Sequence, residues 1–440
     1  MGLLKQAGSD SERESGLFGR RVVIATFGSL GDLHPYLAVA KALAARGAIP
    51  VIATSELHRA RVERQGLGFH AVRPNLKDFE NDPENFRRAM DLKEGPQFVI
   101  REVFMKHLRE SYEDLLAAVS GADFLVSHPI TYAAPIVAEV MGLPWVSTSL
   151  APLSMFSRHD PPILPLIAWS RHLRPLGPAF WGALLGLGRW KARSWGEPVA
   201  ALRKELGLEE CRNPLIEGGN SPHGVLAMFS EVLGAPQPDW PQATVQTGFA
   251  FLDNSLGEEI SVELARFLDD GPPPVVFTLG SSAVMDAGRF YTESLAAVQS
   301  LGCRAVFLIG NDPRNRSEAS LPSSVIAEPY APYSQLFPLA RAIVHQGGVG
   351  TTAQALRAGR PMLVVPWSHD QPDNADRIRR LGVGLTVTRA RYNARYAETA
   401  LRRLLDEPGF AARADLVGHR VRAEDGVNAW CDAFERCLIG

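Results

Sequence analysis

The sequence predicts an α/β protein built from two doubly wound domains. Its 440 residues are about three times the length of a typical domain. Short β-rich runs alternate with helical stretches in the first half, and the alternation restarts after a break at residues 249–272. Strands that alternate with helices form parallel sheets. Two such sheets place a ligand in the cleft between them, at the carboxyl ends of the strands.

The first half repeats a strand followed by a helix. In chain order, the predicted strands are 21–27, 49–54, 123–126 and 144–148, and the predicted helices are 33–46, 56–65 and 131–141. The first helix stops at Gly47, and glycine is common just after a helix. Residues 1–20 are polar and charged and lack the apolar core of a signal peptide, so they are predicted to be a disordered tail.

The pattern changes between residues 151 and 220, where prolines are dense and large apolar residues cluster. A long irregular stretch in a compact domain is uncommon and often lines a binding site. Apolar helices that pack on the sheet are the alternative. Residues 249–272 are acidic and rich in proline and glycine, which predicts a linker. The second series of predicted strands is 275–279, 305–309, 325–328, 342–345 and 362–365.

Composition excludes several classes of protein. Lys and Arg number 46 against 48 Asp and Glu, so there is no electrostatic reason to expect a nucleic-acid partner. Four cysteines lack metal-ligand spacing and are interpreted as free thiols in a reducing compartment. No uncharged apolar run reaches the roughly 18 residues that span a bilayer. We therefore expect a cytoplasmic protein, with peripheral membrane contact left open, that is a monomer or a weak dimer.

A glycine-rich turn follows the predicted strand that ends at His345. The run from His345 to Thr352 has three glycines and leads into a predicted helix at 353–358. Glycines allow close approach of a ligand to the backbone, and the free N–H groups at a helix start attract anions. A diphosphate fits this turn. His345 is expected to donate to a phosphate, and a charged ring would also offset the phosphate charge. A tight turn with a packed histidine is the alternative.

An acid–amide pair follows the next predicted strand. Asp370 and Gln371 come after the strand at 362–365, so they are expected at the carboxyl edge of the sheet. A carboxylate and an amide side by side can bind vicinal hydroxyls. The alternative role for Asp370 is the N-cap of the following helix.

The turn after the first strand carries Asp32 and, two residues later, His34. It is not a G-x-G-x-x-G turn, and no acid ends the second strand, so a dinucleotide site is weakly indicated. Asp32 is also a good candidate for the N-cap of the first helix, and this role is compatible with a catalytic one.

These stretches resemble the family-one glycosyltransferases of the GT-B fold, over nearly the whole chain from Arg21 onward. Within the family, the sequence is most similar to the bacterial branch of rhamnolipid rhamnosyltransferases and of sterol, macrolide and glycopeptide glycosyltransferases. Four stretches carry the resemblance: GSLGDLHPYLAVAKALAARG, VVFTLGSS, YAPYSQLFPLARAIVHQGGVGTTAQALRAGRPMLVVPWSHDQPDNA and EDGVNAWCDAFERC.

The resemblance implies a GT-B architecture of two Rossmann-like domains that face each other across a cleft. It implies an acceptor-binding domain at 21–248, the linker at 249–272 and a nucleotide-sugar-binding domain at 273–424. The last segment, 425–440, would be a helix that returns toward the N-terminal domain.

The resemblance also implies roles for individual residues. Asp32 would be the base that deprotonates the acceptor hydroxyl, with His34, His128 or His159 as weaker candidates for base or partner. The implied donor-binding residues are Gly31, Ser281, Ser282, Tyr330, Ala331, His345, Gly347, Gly348, Gly350, Thr351, Asp370 and Gln371. The expected acceptor-pocket residues are Phe27, His128, Met155, Phe156 and His159.

One departure concerns the nucleotide. The glutamate that often binds the ribose hydroxyls should fall near Ala353, and it is absent, with Gln354 as the only polar neighbour. The choice between uridine and thymidine diphosphate donors therefore stays open.

The main hypothesis is an inverting hexosyltransferase of the EC 2.4.1 type, which moves a glucose- or rhamnose-type sugar to a hydroxyl of a hydrophobic small molecule. Lipids, sterols, macrolides and phenolics all remain possible acceptors. No D-x-D motif lies near the proposed site, so we expect no metal and no cofactor beyond the nucleotide sugar. The alternatives are a GT-B sugar-nucleotide epimerase, which needs no acceptor pocket, and a non-catalytic sugar-nucleotide-binding partner, which should lack a base.

Overall fold

A computed structural model describes residues 16–77, 82–211, 213–253, 259–316 and 320–439. The strands are β1 (Arg21–Ala25), β2 (Ile49–Thr54), β3 (Gly68–Ala71), β4 (Phe124–Ser127), β5 (Trp145–Ser149), β6 (Val225–Ala227), β7 (Thr244–Gln246), β8 (Val275–Thr278), β9 (Ala305–Leu308), β10 (Val325–Glu328), β11 (Ala342–His345), β12 (Met362–Val364) and β13 (Gly384–Thr386).

The α-helices are α1 (Leu30–Ala45), α2 (Arg59–Glu63), α3 (Pro83–Ala89), α4 (Gly95–Phe98), α5 (Leu108–Ala118), α6 (Ala134–Met141), α7 (Gly177–Ala192), α8 (Glu197–Glu205), α9 (Val262–Asp269), α10 (Gly280–Ala283), α11 (Phe290–Leu301), α12 (Tyr333–Leu336), α13 (Val349–Ala358), α14 (Gln371–Leu381), α15 (Ala394–Asp406), α16 (Pro408–Arg422) and α17 (Gly426–Leu438). The segment Pro165–Leu176 is a 3₁₀-helix.

Two parallel sheets confirm the predicted fold class. The first has seven strands in the order β3-β2-β1-β4-β5-β6-β7, and the second has six in the order β10-β9-β8-β11-β12-β13. In each sheet the strand order reverses once, between β1 and β4 and between β8 and β11. Ligands of open α/β sheets bind beside the carboxyl ends of the strands at such a switch point. The topology therefore marks the loops after these four strands.

Strand cores were predicted more accurately than helix starts. Strands β2, β10 and β11 have the predicted bounds, whereas α1 begins three residues and α13 four residues before the predicted positions. Both early starts follow a glycine-rich turn. Glycine has a low helix propensity, so the sequence pattern places both helix starts after the glycines. In the structure the helices already begin within these turns, at Leu30 and Val349.

The predicted disordered tail is too long. Residues 1–15 lie outside the described part of the chain, but Leu17 is fully buried in the cluster that also holds Val22, Leu33 and Leu37. An apolar side chain next to β1 gains more by covering the end of this cluster than by staying in water. Ordered structure therefore begins before residue 21.

The C-terminal helix packs against the N-terminal sheet. In α17, Trp430 and Phe434 are fully buried in the same cluster as Leu33, and their rings stack with centroids 5.1 Å apart. Arg46 at the end of α1 forms ion pairs of 2.6 and 3.0 Å with Asp432 and Glu435. The chain thus crosses back after the second sheet and ties the two domains together.

Residues 254–258 of the expected linker lie outside the described residues. The later part of this stretch forms α9, which begins at the N-cap Ser261 and buries Leu264 in the cluster of the second sheet.

Side chains join the two domains at both ends of the cleft. At one end, the Ser368 hydroxyl donates to the Asp91 carbonyl at 2.9 Å, and Met90 packs into the cluster of the second sheet. At the other end, Arg377 of α14 pairs with Asp160 of the N-terminal domain and with Asp373 of its own helix. These contacts hold the loops at the carboxyl edges of the two sheets face to face.

Candidate active site

The turn after β1 presents Asp32 in the first turn of α1. Ser29 is the N-cap, and its hydroxyl accepts from the Gly31 N–H at 3.3 Å. Asp32 Oδ2 accepts from the Ser29 N–H at 2.8 Å, so these two residues form a capping box. The N-cap is therefore Ser29 and not Asp32, because a serine hydroxyl three residues earlier is better placed for that role. Gly28 has φ +123°, and a Cβ there would lie 2.3 Å from Asp32 Oδ2.

His128 stands behind Asp32. Its Nδ1 accepts from the Ile130 N–H at 3.3 Å, so Nε2 carries the proton, and Nε2 lies 3.6 Å from Asp32 Oδ1. The Asp32 side chain is 32 % exposed, whereas that of His128 is 6 % exposed. Asp32 is thus the member of the pair that faces the cleft.

The environment of Asp32 favours its ionised form. Burial acts to raise the pKa of Asp32, but the nearby His128 Nε2–H and the hydrogen bonds from Ser29 hold that pKa below its ordinary value. The first turn of a helix also favours a negative charge. Asp32 is therefore a carboxylate at neutral pH, able to accept a proton.

His34 does not share this environment. Residues two apart on a helix point in different directions, and His34 lies near Arg61 and His58. Burial, with smaller contributions from Arg61 and His58, lowers the pKa of His34 to about 4. Among the described residues no hydrogen bond or ion pair joins His34 to Asp32, and the histidine beside the Asp32 carboxylate is His128.

The expected acceptor residues divide into two groups. Phe27 and Met155 are buried, 3 % and 8 % exposed, and belong to the hydrophobic clusters. Phe27 packs edge to face against Phe104 with centroids 5.6 Å apart, so it is a core residue and not a surface of the cleft. Phe156 is partly exposed with φ +46°, and His159 is exposed. The pleat after β1 points the Phe27 ring inward, which the sequence does not reveal.

In the second sheet, His345 ends β11 and is fully buried. Its Nδ1 accepts from the Gly347 N–H at 3.0 Å, so the proton is on Nε2, which has no hydrogen-bond partner among the described residues. Burial lowers the pKa of His345 to about 3. The ring is therefore neutral, and the charge that the sequence led us to expect there is absent. Nε2–H remains an unused donor.

Helix α13 begins at Val349, with Gly348 as its N-cap. Gly350 and Thr351 therefore lie in its first turn, where backbone N–H groups lack partners within the helix. The Val349 N–H donates to Asp370 Oδ2 at 3.0 Å. The N–H groups of Gly350 and Thr351 remain at the positive end of the helix, which is a suitable place for a phosphate.

Asp370 occupies the N-cap position of α14 but makes no capping hydrogen bond to that helix. Its Oδ2 instead accepts from Val349 and from Asn374 Nδ2, the latter at 2.7 Å. Burial and the facing charge of Asp32 raise the pKa of Asp370 to about 7. Oδ1 takes part in neither of these two bonds.

Gln371 is held by the loop before it. Its Oε1 accepts from the N–H groups of Trp367 and Ser368 at 2.7 and 3.2 Å. No described residue accepts from its amide nitrogen. The pair at 370 and 371 therefore has one carboxylate oxygen and one amide N–H₂ group beyond those bonds, a combination suited to hydroxyl groups.

The two helix starts meet across the cleft. A Cβ on Gly350 would lie only 3.3 Å from Gly31 Cα, so two glycines let α1 and α13 approach closely. Asp32 and Asp370 are near enough for the charge of one to raise the pKa of the other. Several expected donor residues therefore lie beside the expected base.

Other expected donor residues differ in accessibility. Ser281 is exposed and Ser282 is partly exposed on the short helix α10, which follows the switch-point strand β8. The Tyr330 ring is 52 % exposed, whereas Ala331 is 1 % exposed.

Ala353, the expected site of a ribose-binding residue, is 4 % exposed and belongs to the core of the second sheet. It cannot present a side chain to ribose, because its Cβ points to the core face of α13. The partly exposed Gln354 is the next side chain on the helix.

Gln346 is a site residue that the sequence reasoning missed. It is 6 % exposed, and its Nε2 donates to Thr351 Oγ1 at 3.4 Å. Its Oε1 is buried without a partner. A Cβ on Gly280, which has φ +65°, would lie 2.3 Å from Nε2, so the amide fills the space between the loops after β8 and β11. A polar side chain inside a glycine-rich turn was the available signal.

His369 is a second missed residue. It has φ +57°, a strained conformation for a side-chain-bearing residue, and such strain clusters at functional sites. Burial lowers its pKa, while the charge of Asp32 and a hydrogen bond with the Ala89 backbone act in the opposite direction. His369 therefore directly precedes the acid–amide pair and lies near enough to Asp32 to be affected by its charge.

Two absences concern the described ranges alone. Within them, no group of three His, Cys, Asp or Glu side chains converges as metal ligands. The helices there also include none with the length and hydropathy needed to cross a bilayer.

Family models match both halves of the chain. The N-terminal domain of glycosyltransferase family 28 matches residues 22–151, and the C-terminal domain of erythromycin biosynthesis protein CIII-like proteins matches residues 293–426. The two matches include the turn with Asp32 and the loops with His345 and Asp370.

Whole-chain comparisons agree. The chain is 32 % identical over 434 residues to O-mycaminosyltylonolide 6-deoxyallosyltransferase of Streptomyces fradiae, covering 94 % of this chain and 97 % of the relative. It is 27 % identical over 448 residues to sterol 3-beta-glucosyltransferase of Leptosphaeria maculans, which covers 95 % of this chain but 29 % of that larger protein.

Solved structures share the fold. Spinosyn forosaminyltransferase SpnP superposes with a TM-score of 0.71 at 19 % identity, covering 96 % of this chain and 100 % of that chain. Glycosyltransferase VinC in complex with dTDP has a TM-score of 0.66 at 22 % identity and the same coverage. With two sheets whose switch points face each other, matching models in both halves and a relative of nearly equal length, the chain belongs to the family-one glycosyltransferases of the GT-B fold.

Proposed function

We propose that the chain is an inverting hexosyltransferase that uses a UDP- or dTDP-sugar and glycosylates a hydroxyl of a hydrophobic small molecule. The approach of Gly31 to Gly350 carries the proposal, because it puts a carboxylate and a helix start suited to a phosphate on opposite walls of one cleft. A base on one wall and a leaving-group site on the other are what an in-line displacement requires.

In the proposed reaction, Asp32 accepts the proton of the acceptor hydroxyl. The hydroxyl oxygen forms a bond to the anomeric carbon while the bond from that carbon to the phosphate oxygen breaks. The nucleoside diphosphate leaves with the electron pair, and the configuration inverts. His128 holds Asp32 in place and keeps it ionised. Such general-base help is worth roughly 10²- to 10⁴-fold in rate.

The diphosphate is proposed to bind at the start of α13. Its oxygens would accept from the N–H groups of Gly350 and Thr351, from His345 Nε2 and from the Gln346 amide. These donors are neutral, so they stabilise the leaving charge through oriented dipoles. The hydroxyls of the hexose would meet Asp370 and Gln371.

The names of the relatives bear on the substrates. The relatives described above are named for transfer to a macrolide or a sterol, and one neighbouring structure contains dTDP. We therefore place a polycyclic or macrocyclic alcohol first among acceptors and a dTDP-linked 6-deoxyhexose beside UDP-glucose among donors. None of these relatives is named as an epimerase.

The test is a transfer assay of the full-length protein with dTDP-rhamnose, dTDP-glucose, UDP-glucose and UDP-rhamnose against a macrolide aglycone, a sterol and a flavonoid. We expect a glycoside whose mass is increased by one hexosyl unit and whose anomeric configuration is opposite to that of the donor. Retained configuration would contradict Asp32 as a simple base. Interconversion of donor sugars without transfer would instead indicate an epimerase.

Metal independence is a separate part of the proposal. It is motivated by the helix start, which offers N–H donors to the diphosphate where other enzymes use a cation. Turnover should be unchanged after incubation with EDTA and buffer exchange. A complete loss that magnesium or manganese restores would show that the anion site has been misassigned.

A further inference from the structure

Helix α7 exposes an apolar stripe that no described residue covers. Leu176, just before the helix, is 55 % exposed, and Phe180, Leu187 and Trp190 are 36 %, 51 % and 70 % exposed. With the exposed Ala183, these positions follow one another at intervals of four and three residues, so they lie on one helix face. We call this surface the α7 stripe. Single exposed apolar residues are common on protein surfaces, but a continuous row of large ones usually marks an interaction site.

The opposite face of α7 is anchored to the protein. Trp181 and Leu185 are 1 % and 7 % exposed, and Trp181 Nε1 donates to the Leu173 carbonyl at 3.2 Å. The stripe is therefore presented by a helix that is fixed on its inner side. It is not the exposed half of a loose segment.

The segment of chain that carries the stripe has charged side chains of one sign only. Residues 161–196 contain five Arg or Lys residues and no Asp or Glu. Arg174 pairs with Asp160 and Arg189 with Glu217. The other three (Arg171, Lys191 and Arg193) are exposed and form no ion pair with any described residue.

A cavity of about 690 Å³ opens at the end of the stripe. Trp190 lines it together with four basic residues (Lys191, Arg193, Arg203 and Lys204) and two acids (Glu197 and Glu210). Its entrance thus joins an apolar ring to cations, a combination that suits the phosphate headgroup and upper acyl chain of an anionic lipid.

From these features we infer that the α7 stripe docks on an anionic lipid bilayer. An amphipathic helix with large apolar residues on one face and cations at the edge lies in the plane of the membrane interface, and tryptophan prefers that depth. A second copy of the chain fits less well, because self-association through this face would bring the three unpaired cations of each copy together, and residues 161–196 contain no acid to pair with them.

The inference deepens the proposed function, on which it rests, by giving the source of the acceptor. Arg158 of the acceptor segment lies against α7, where its Cδ would be 3.4 Å from a Cβ on Gly182. The docked face therefore borders the segment that carries the expected acceptor residues Phe156 and His159, and along this segment a lipid-dissolved alcohol would pass from the bilayer toward the cleft.

Vesicle flotation of the full-length protein tests the docking without any assay of transfer. We expect binding to phosphatidylcholine vesicles that contain roughly a quarter phosphatidylglycerol, and much weaker binding to phosphatidylcholine alone. Leu187→Ser with Trp190→Ser should weaken binding by at least about tenfold. Lys191→Glu with Arg193→Glu should weaken it by roughly fivefold for each cation, and salt should have the same effect.

Leu416→Ser is the matched control, because Leu416 is 66 % exposed on α16, away from the stripe. It should bind vesicles like the wild-type protein. Circular dichroism should show that all variants are folded. Equal vesicle binding by the stripe variants and the control would overturn the inference, as would absence of binding by the wild type.

Further outcomes distinguish membrane docking from self-association and from the proposed transfer function. A wild-type dimer that Leu187→Ser dissociates would assign the face to a second copy and overturn the membrane proposal. Transfer to a detergent-free soluble acceptor should be unchanged in the stripe variants. Vesicle binding without transfer to any acceptor would count against the proposed function and leave the docking supported.

Discussion

A carboxylate lies beside each of the two helix starts that meet in the cleft, and the two carboxylates differ in their pKa shifts. Asp32 belongs to its own helix turn and receives hydrogen bonds from Ser29, with His128 nearby, so its pKa is lowered. Asp370 comes from a separate loop and receives bonds from Val349 and Asn374, yet burial and the charge of Asp32 raise its pKa to about 7. Two carboxylates that face each other cannot both ionise freely.

This difference in pKa suggests a different chemical role for each carboxylate. The carboxylate that stays ionised serves as a base, and the one that titrates near neutrality serves as a hydroxyl-binding group that can accept or donate. Environments that push two pKa values apart are a common way to divide acid and base roles. The following experiments break or sharpen the contrast, starting with the largest effect.

Asp32→Asn should remove the base at the start of α1 and leave nucleotide binding at the start of α13 intact. The amide can still accept from the Ser29 N–H, so the capping box and the fold should remain. We expect turnover to fall roughly 10²- to 10⁴-fold while dTDP or UDP affinity is kept. Steady-state kinetics and calorimetric titration on the same preparation check this. Wild-type turnover would remove Asp32 from the mechanism and make His128 the candidate base.

Gly280→Ala should weaken nucleotide binding at the start of α13 and leave the base Asp32 in place. The new Cβ would meet the Gln346 amide at 2.3 Å and push it out of the proposed phosphate site. We expect nucleoside diphosphate affinity to fall by roughly tenfold or more, the worth of a hydrogen bond to a charged group. Gly288→Ala is the control, because Gly288 has a similar φ of +54° with no atom within 4 Å of a Cβ. Equal losses in both variants would mean that backbone strain, and not Gln346, is responsible.

Asp370→Asn should change the pH dependence of stability. A carboxyl group whose pKa is raised on folding contributes stability at pH values below its unfolded pKa, near 3.8, and loses it as pH rises through about 7. Removing the group should raise the free energy of unfolding at pH 8 relative to pH 4 by roughly 1–2 kcal/mol after solvent screening. Urea unfolding at both pH values measures this. An unchanged difference would mean that Asp370 titrates normally.

His128→Gln should give the smallest change, in the position of the acid limb of the kcat/KM profile. Glutamine can donate near Asp32 Oδ1 but does not reproduce the position of the imidazole N–H that helps to lower the pKa of Asp32. The acid limb should therefore move to higher pH, with little change in activity at its plateau. A plateau reduced as far as in Asp32→Asn would identify His128 as the base.

The site contains features that the sequence could predict and features that it could not. The turn from His345 to Thr351 was predictable because glycine and a strand end constrain the backbone locally. The partners of Asp370 were not, because its carboxylate bonds to Val349 of a different helix, twenty-one residues away. The neutrality of His345 follows from burial, which depends on the packing of both sheets.

The acceptor side was less predictable than the donor side. Phe27 looked like a pocket residue but points into the core, and the exposed rings of α7 looked like candidates for ligand contact. Strands β6, β7 and β13 have three residues each and carry too little periodicity to detect. Phe156 and His369 have φ values of +46° and +57°, which residues with side chains rarely adopt, so their residue types do not predict this conformation.

The most direct test of the account is a crystal structure of the protein with dTDP or UDP bound. The account predicts that the diphosphate lies at the start of α13, within hydrogen-bonding distance of the backbone N–H groups of Gly350 and Thr351 and of His345 Nε2. Asp32 should remain free of the nucleotide and open to the cleft. A diphosphate bound at the start of α1, on Ser29 and Gly31, would contradict the assignment of base and leaving-group sites to the two helices.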